Sequence, residues 1–164
     1  MKKIIYLLFC GLLIFAMSGQ NANAENKPIS FYISGGVETN LDSLFDPTYW
    51  MAGAALDINL SALPLMISPE CHIVVYGFEF DFFRLMPAVV LNYKVSSFFV
   101  GAGITKWWWL GSEAEGFDSS DFLLKINAGY KGNRIRLSAF IVTPFDHLFG
   151  RYYNKVGATF GFGF

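Results

Sequence analysis

The sequence closes on Val156-Gly157-Ala158-Thr159-Phe160-Gly161-Phe162-Gly163-Phe164. Apolar residues hold one parity and glycine or threonine the other. Strict alternation marks a β-strand, because successive side chains point to opposite faces. One face of this strand is broad and aromatic. The other is almost bare backbone, as a strand lining a narrow, filled interior would need.

Working back from that strand, seven more segments of about ten residues alternate in polarity. The eight are Ser30–Thr39, Tyr49–Leu60, Glu70–Phe80, Leu85–Tyr93, Ser97–Trp107, Asp121–Tyr130, Arg134–Thr143 and Tyr152–Phe164. The third is apolar on both faces, so its parity is the least determined; Glu79 sets it with Cys71, Ile73 and Val75 inward. The fourth carries Pro87, which removes a ladder donor and marks a bulge or a strand end. Connections alternate between tight (Lys94–Ser96, Lys131–Asn133) and longer, mostly polar ones (Asn40–Thr48, Trp108–Ser120, Pro144–Arg151). Gly132-Asn133 suits a hairpin turn. Ser61–Pro69 departs from the alternation, being long and apolar; it reads as a strand extension or a membrane-touching turn.

Composition narrows the class. Hydrophobic residues make up 54%, aromatic residues 18% and charged residues 15% of the chain, against about 25% charged in soluble domains. Yet after residue 24 no apolar run reaches the length of a spanning helix. A closed barrel is the other fold that satisfies its backbone in lipid. The first 24 residues stand apart: Lys2 and Lys3, an apolar stretch from Ile4 to Met17, then Ala22-Asn23-Ala24. That is the layout of a cleaved signal peptide, leaving residues 25–164 as one barrel domain. Cys10 follows the bulky Phe9, which argues against lipidation. Loss of Lys2 and Lys3 takes the balance from 12 basic and 13 acidic residues to 10 and 13, a net charge of −3. No basic patch speaks for nucleic acid. Cys71 is left without a second cysteine to pair with.

The faces decide between a soluble, ligand-carrying barrel and a membrane one. Glu38, Asp57, Glu79, Lys125, Arg136 and Lys155 share the parity of the glycines. Basic residues turned toward lipid would cost about 2–4 kcal/mol each near the midplane. Turned inward, three acids and three bases can pair. The expectation is therefore an all-β, eight-stranded antiparallel up-and-down transmembrane barrel with a filled, charged lumen. Tyr and Trp favour the membrane interface, which makes Trp50, Tyr93, Trp107 and Tyr152 candidates for an aromatic girdle. His72 is read as a girdle or rim residue and Cys71 as an inward, inert one.

The alternating segments and the Phe-ended final strand resemble the small eight-stranded outer-membrane β-barrels, the OmpA-domain and OmpX type (outer membrane protein beta-barrel domain). The resemblance covers nearly all of the chain after residue 24 as pattern. The long second connection and Pro87 depart from it and leave strand limits open. The resemblance implies that Phe160, Phe162 and Phe164 form the C-terminal signal read by the barrel assembly machinery, with β-augmentation as the mode of recognition. It also implies a cell outer membrane location, lipid and lipopolysaccharide as surroundings, periplasmic chaperones during biogenesis, and a monomer.

Catalysis finds little support in the residues. A lipid A deacylase of the PagL type resembles a serine hydrolase with a His-x-Ser pair, but His147 is followed two residues later by Phe149. A PagP-type acyltransferase would need His, Asp and Ser together at the outer rim; Asp146, His147, Ser119 and Ser120 fall in separate loops. Two histidines and one remaining cysteine make a metal site unexpected. Glu113, Glu115, Asp118 and Asp121 could hold a hard cation, though a solvated loop is the simpler reading. No cofactor and no enzymatic activity are expected. The leading function is a structural or surface-interaction barrel presenting its loops; the alternatives are a lipid A-modifying enzyme or a narrow pore.

Overall fold

The structure, a computed structural model, describes residues 27–43, 46–60, 62–77, 82–111, 118–146, 148 and 154–164. Residues 1–24, the expected signal peptide, lie outside them. The described residues contain ten β-segments and no helix: β1 Ile29–Asn40, β2 Thr48–Leu60, β3 Leu65–Tyr76, β4 Phe82–Val95, β5 Phe98–Thr105, β6 Trp108–Gly111, β7 Asp118–Ser119, β8 Leu123–Lys131, β9 Ile135–Pro144 and β10 Lys155–Gly163. All pairings are antiparallel, and β10 returns to β1, so the sheet closes.

The ten segments make eight staves. β5 and β6 pair with β4 in one unbroken register, from Ala88↔Thr105 to Leu85↔Trp108. Pro87 separates them. It has no N–H to give, but its carbonyl accepts the Lys106 N–H at 3.2 Å and the Thr105 hydroxyl at 2.8 Å. On the other side, Thr105 faces Leu123 while Trp108 faces Ser119. The β7–β8 stave therefore carries one residue more than its partner, a β-bulge. The Ser120 side chain seals it, accepting the Trp107 N–H at 3.0 Å.

Register also fixes the winding. Cα partners run Ile29, Ile58, Ile67, Leu91, Ala102, Ile126, Ile141, Val156 and back onto β1 at Thr39. The circuit returns ten residues beyond its start, the stagger that tilts the strands of a closed barrel. Until it regains β1 it is an apolar belt on the outer face. The connections after β2, β4 and β8 are short and share one rim with both described chain ends. Those after β1, β3, β6 and β9 are longer and share the other.

β3 begins at Leu65 rather than Glu70, so of the two readings of Ser61–Pro69 strand extension is the one the register gives for Leu65 to Pro69. The parity of β3 is corrected: it is the reverse of the expected one. Met66, Ser68, Glu70, His72 and Val74 are buried inside, whereas Cys71 and Ile73 are exposed on the outer face. Both faces of this strand carry β-branched residues, so hydrophobicity could not choose between them. Glu79 tipped the choice, but β3 ends at Tyr76, and Glu79 lies outside the described residues. β4, in turn, starts three residues early, at Phe82, which brings Arg84 into the wall.

Candidate functional site

The lumen holds the chemistry, in layers set by register. Nearest the short-turn rim, Asp57 lies 3.2 Å from Lys131 Nζ and 3.4 Å from Arg136 Nε. Asp57 also accepts the Ser68 hydroxyl at 2.7 Å, and Ser68 in turn accepts Asn92 Nδ2 at 2.8 Å. One step further in, Glu70 is ion-paired with Lys125 and lies 3.5 Å from Arg136 Nη1. Arg136 thus bridges two carboxylates on two strands. His72 meets the Ser34 hydroxyl at 3.0 Å beside them. Isolated, any of these charges would carry a desolvation penalty of several kcal/mol. Here the strands deliver opposite charges to one level, and the penalty is offset.

Each cation also lies against an aromatic face, a favourable electrostatic contact. Arg136 sits 5.1 Å from the Phe99 ring centre, Lys125 4.4 Å from Phe140, and Lys131 5.8 Å from Tyr32. The rings fit because they overlie glycine on the next strand. A Cβ on Gly129 would fall 2.5 Å from the Phe99 ring, and one on Gly157 2.5 Å from Phe140. The glycine parity of β10 is therefore a volume requirement of the lumen.

Above the charges the lumen turns apolar. Met51, Val74, Met86, Trp107, Leu123, Phe140 and Val142 form one buried cluster. Beyond it, at the long-loop mouth, Glu38 is ion-paired with Arg84, whose guanidinium lies 4.4 Å from the Trp107 ring centre and 5.6 Å from that of Tyr49. Lys155 lies 4.5 Å from Tyr49 and donates to Asn40 Oδ1.

Of the expected lumen charges, Glu38, Asp57, Lys125, Arg136 and Lys155 are buried inside; Glu79 is outside the described residues. Glu70, Arg84 and Lys131 are interior charges that the sequence reading missed. Arg84 shares parity with Met86 and Asn92, one residue before the assumed strand start. Lys131 shares parity with Lys125 and Asn127, and β8 runs one residue past the expected strand end to include it.

The outer face is apolar apart from Lys106, whose Nζ lies 5.5 Å from the centre of the exposed Phe122 ring. Trp50 (44% exposed) and Tyr93 (51%) stand on that face, Trp50 toward the long-loop rim and Tyr93 toward the short-turn rim. Tyr152 is outside the described residues. Trp107 is corrected: it is 4% exposed and faces inward. It shares parity with Thr105, which faces Lys125's side of the lumen, so a girdle role was excluded by the same alternation that defined the strand. Trp109 follows it inward, edge-to-face at 6.2 Å. Phe160, Phe162 and Phe164 are exposed on the outer face, and Gly161 and Gly163 are buried behind them. At the long-loop rim Asp118, Asp121 and Asp146 are exposed. Glu113, Glu115 and His147 are outside the described residues. Among the described residues no three His, Cys, Asp or Glu gather into a possible metal site.

A closed antiparallel eight-stranded barrel, apolar outside and charged within, is the class these features define. No protein-family model and no curated protein sequence matches the chain. Among solved structures it is similar to the N-terminal β-barrel domain of Pseudomonas aeruginosa OprF, at 12% identity and a TM-score of 0.47, over 82% of this chain and 97% of that one.

Proposed function

We propose that this protein is an integral barrel of the cell outer membrane with a filled lumen, serving a structural or surface-interaction role through its longer loops. The observation that carries this reading is the inversion of the faces. Large apolar side chains such as Ile33, Leu91, Val100 and Phe160 stand exposed, while Asp57, Glu70, Lys125 and Arg136 are buried. Water would penalise that outer surface; hydrocarbon would not. The short turns then face the periplasm and the longer loops the exterior.

The packing of the lumen argues against a pore. The apolar cluster around Phe140 and Met86 closes the lumen between two charged layers, and a packed apolar layer offers an ion nothing to replace its hydration. The purified, refolded protein should shift in gel mobility on heating and show no steady, porin-sized conductance in planar bilayers. Reproducible large steps would sink the filled-lumen reading.

The chain is proposed to be non-enzymatic. Ser120, one of the two loop serines considered for acyl chemistry, has its hydroxyl engaged at the bulge, donating to the Asp121 carbonyl at 2.6 Å. Replacing His147 with Ala should leave lipid A profiles unchanged; a lost modification would revive the enzyme reading. Lipid and lipopolysaccharide contact the belt, and the assembly machinery reads Phe160, Phe162 and Phe164 on a monomer. Deleting Phe164 should lower the amount of heat-modifiable barrel in the membrane, and normal assembly without it would count against that signal.

A further inference from the structure

The two rims differ in charge. At the long-loop rim Asp42, Asp46, Asp118, Asp121 and Asp146 are exposed. At the short-turn rim the charged side chains among the described residues, outside the lumen network of Arg136, Asp57 and Lys131, are cationic: Lys27 and Arg134 are exposed and Lys94 is half-buried. Asp57 is buried and already faces Lys131 and Arg136. The same rim carries exposed apolar side chains. Leu63 is 56% and Val95 61% exposed. Register brings the two turns together, since the Lys94 N–H donates to the Pro64 carbonyl at 2.7 Å. The short apolar turn Ala62-Leu63-Pro64 thus stands beside the basic one, with Tyr93 on the outer face just behind.

We propose that this rim binds anionic phospholipid headgroups, with Leu63 and Val95 seated at the acyl boundary and Lys27, Lys94 and Arg134 supplying the attraction. The inference rests on the outer-membrane reading, which places this rim at the inner leaflet. Cations interleaved with exposed apolar side chains match a surface that is charged at its face and apolar just beneath. A basic residue near an anionic membrane surface contributes about 1 kcal/mol, or roughly fivefold in preference. An extended acidic polymer such as peptidoglycan would match the charge but has no use for the exposed Leu63 and Val95.

The test uses the full chain refolded into phosphatidylethanolamine vesicles holding a minor share of phosphatidylglycerol. Spin-labelled phosphatidylglycerol and phosphatidylcholine report which lipid the protein retains at its boundary. The expected result is a preference for phosphatidylglycerol that falls with salt and drops at least fivefold in K27Q/R134Q. D118N/D121N, at the opposite rim, should leave it unchanged. Both cations replaced are exposed and outside the lumen pairs, so the variant should fold. A heat-modifiable barrel with no lipid preference, or one equally altered by D118N/D121N, overturns the inference alone. So does co-sedimentation with isolated peptidoglycan without lipid selectivity. A chain that forms no heat-modifiable barrel in the vesicles overturns the outer-membrane reading as well.

Discussion

The two halves of the lumen solve the same problem with different physics. Toward the short turns, Asp57, Glu70, Lys125, Lys131 and Arg136 fill the space with charges that share partners. Toward the long loops, methionine, valine and aromatic side chains fill it, and the Glu38–Arg84 ion pair lies above them, with Lys155 nearby. A shared network ties each member's removal to several others. An apolar layer spreads its loss over many weak contacts. The halves should therefore respond unlike one another to single substitutions.

The largest effect is expected at Arg136. Arg136→Ala leaves Asp57 and Glu70 each short of a cation in a buried setting, costing about 3–5 kcal/mol. Urea unfolding of the refolded barrel, followed by tryptophan fluorescence, measures this; a cost near zero would mean that water already solvates the network. Next, Met86→Ala removes a fully buried side chain from the apolar layer, costing about 2–4 kcal/mol with no dependence on salt. A salt-dependent loss there would erase the contrast between the halves. Smaller still should be the coupled change E38L/R84M. Replacing both members of that pair with apolar side chains is expected to lie within about 1–2 kcal/mol of the parent, of either sign, whereas E38L alone should cost more because Arg84 remains. Equal losses for the single and double variants would show that Arg84 does not depend on Glu38. The smallest effect is expected outside the lumen. Ser96 holds φ of 57° in the β4–β5 turn, a sign glycine accepts freely. Ser96→Gly should be neutral to stabilising by less than about 1 kcal/mol, read by the same unfolding curves.

How much of this was legible in sequence depended on how unlike the two faces of each strand were. β10, with Phe160 and Phe162 against Gly161 and Gly163, allowed one reading, and the register agrees with it residue by residue. β8 and β9 were as clear, because Lys125 and Arg136 fixed the inner parity. β3 was not. Ile73 and Val75 look as suited to the outside as His72 and Val74 to the inside, and the strand's true limits decide whether Glu70 or Glu79 is the informative acid. Half of the shared network hangs on that one choice, since Glu70 joins Lys125 to Arg136. The ion pairs themselves lay beyond sequence: Glu38 and Arg84 are 46 positions apart, and only the stagger of the closed wall brings them to one level. Trp107 is a different case. Its inward direction followed from parity alone, and the general preference of tryptophan for interfaces was allowed to override it.

The ten-residue return of the circuit from Ile29 to Thr39 divides the chain by what it can tolerate. A residue inserted into any stave would shift one neighbour's partners and reverse a run of side chains between the outer face and the lumen. Its repair would be a bulge of the kind already present at Ser120. The long loops carry no such constraint, since the cost of closing a loop grows only slowly with its length. The wall is in that sense a fixed frame, and sequence change in length is channelled into the long loops, where new surfaces can be tried without renegotiating the fold.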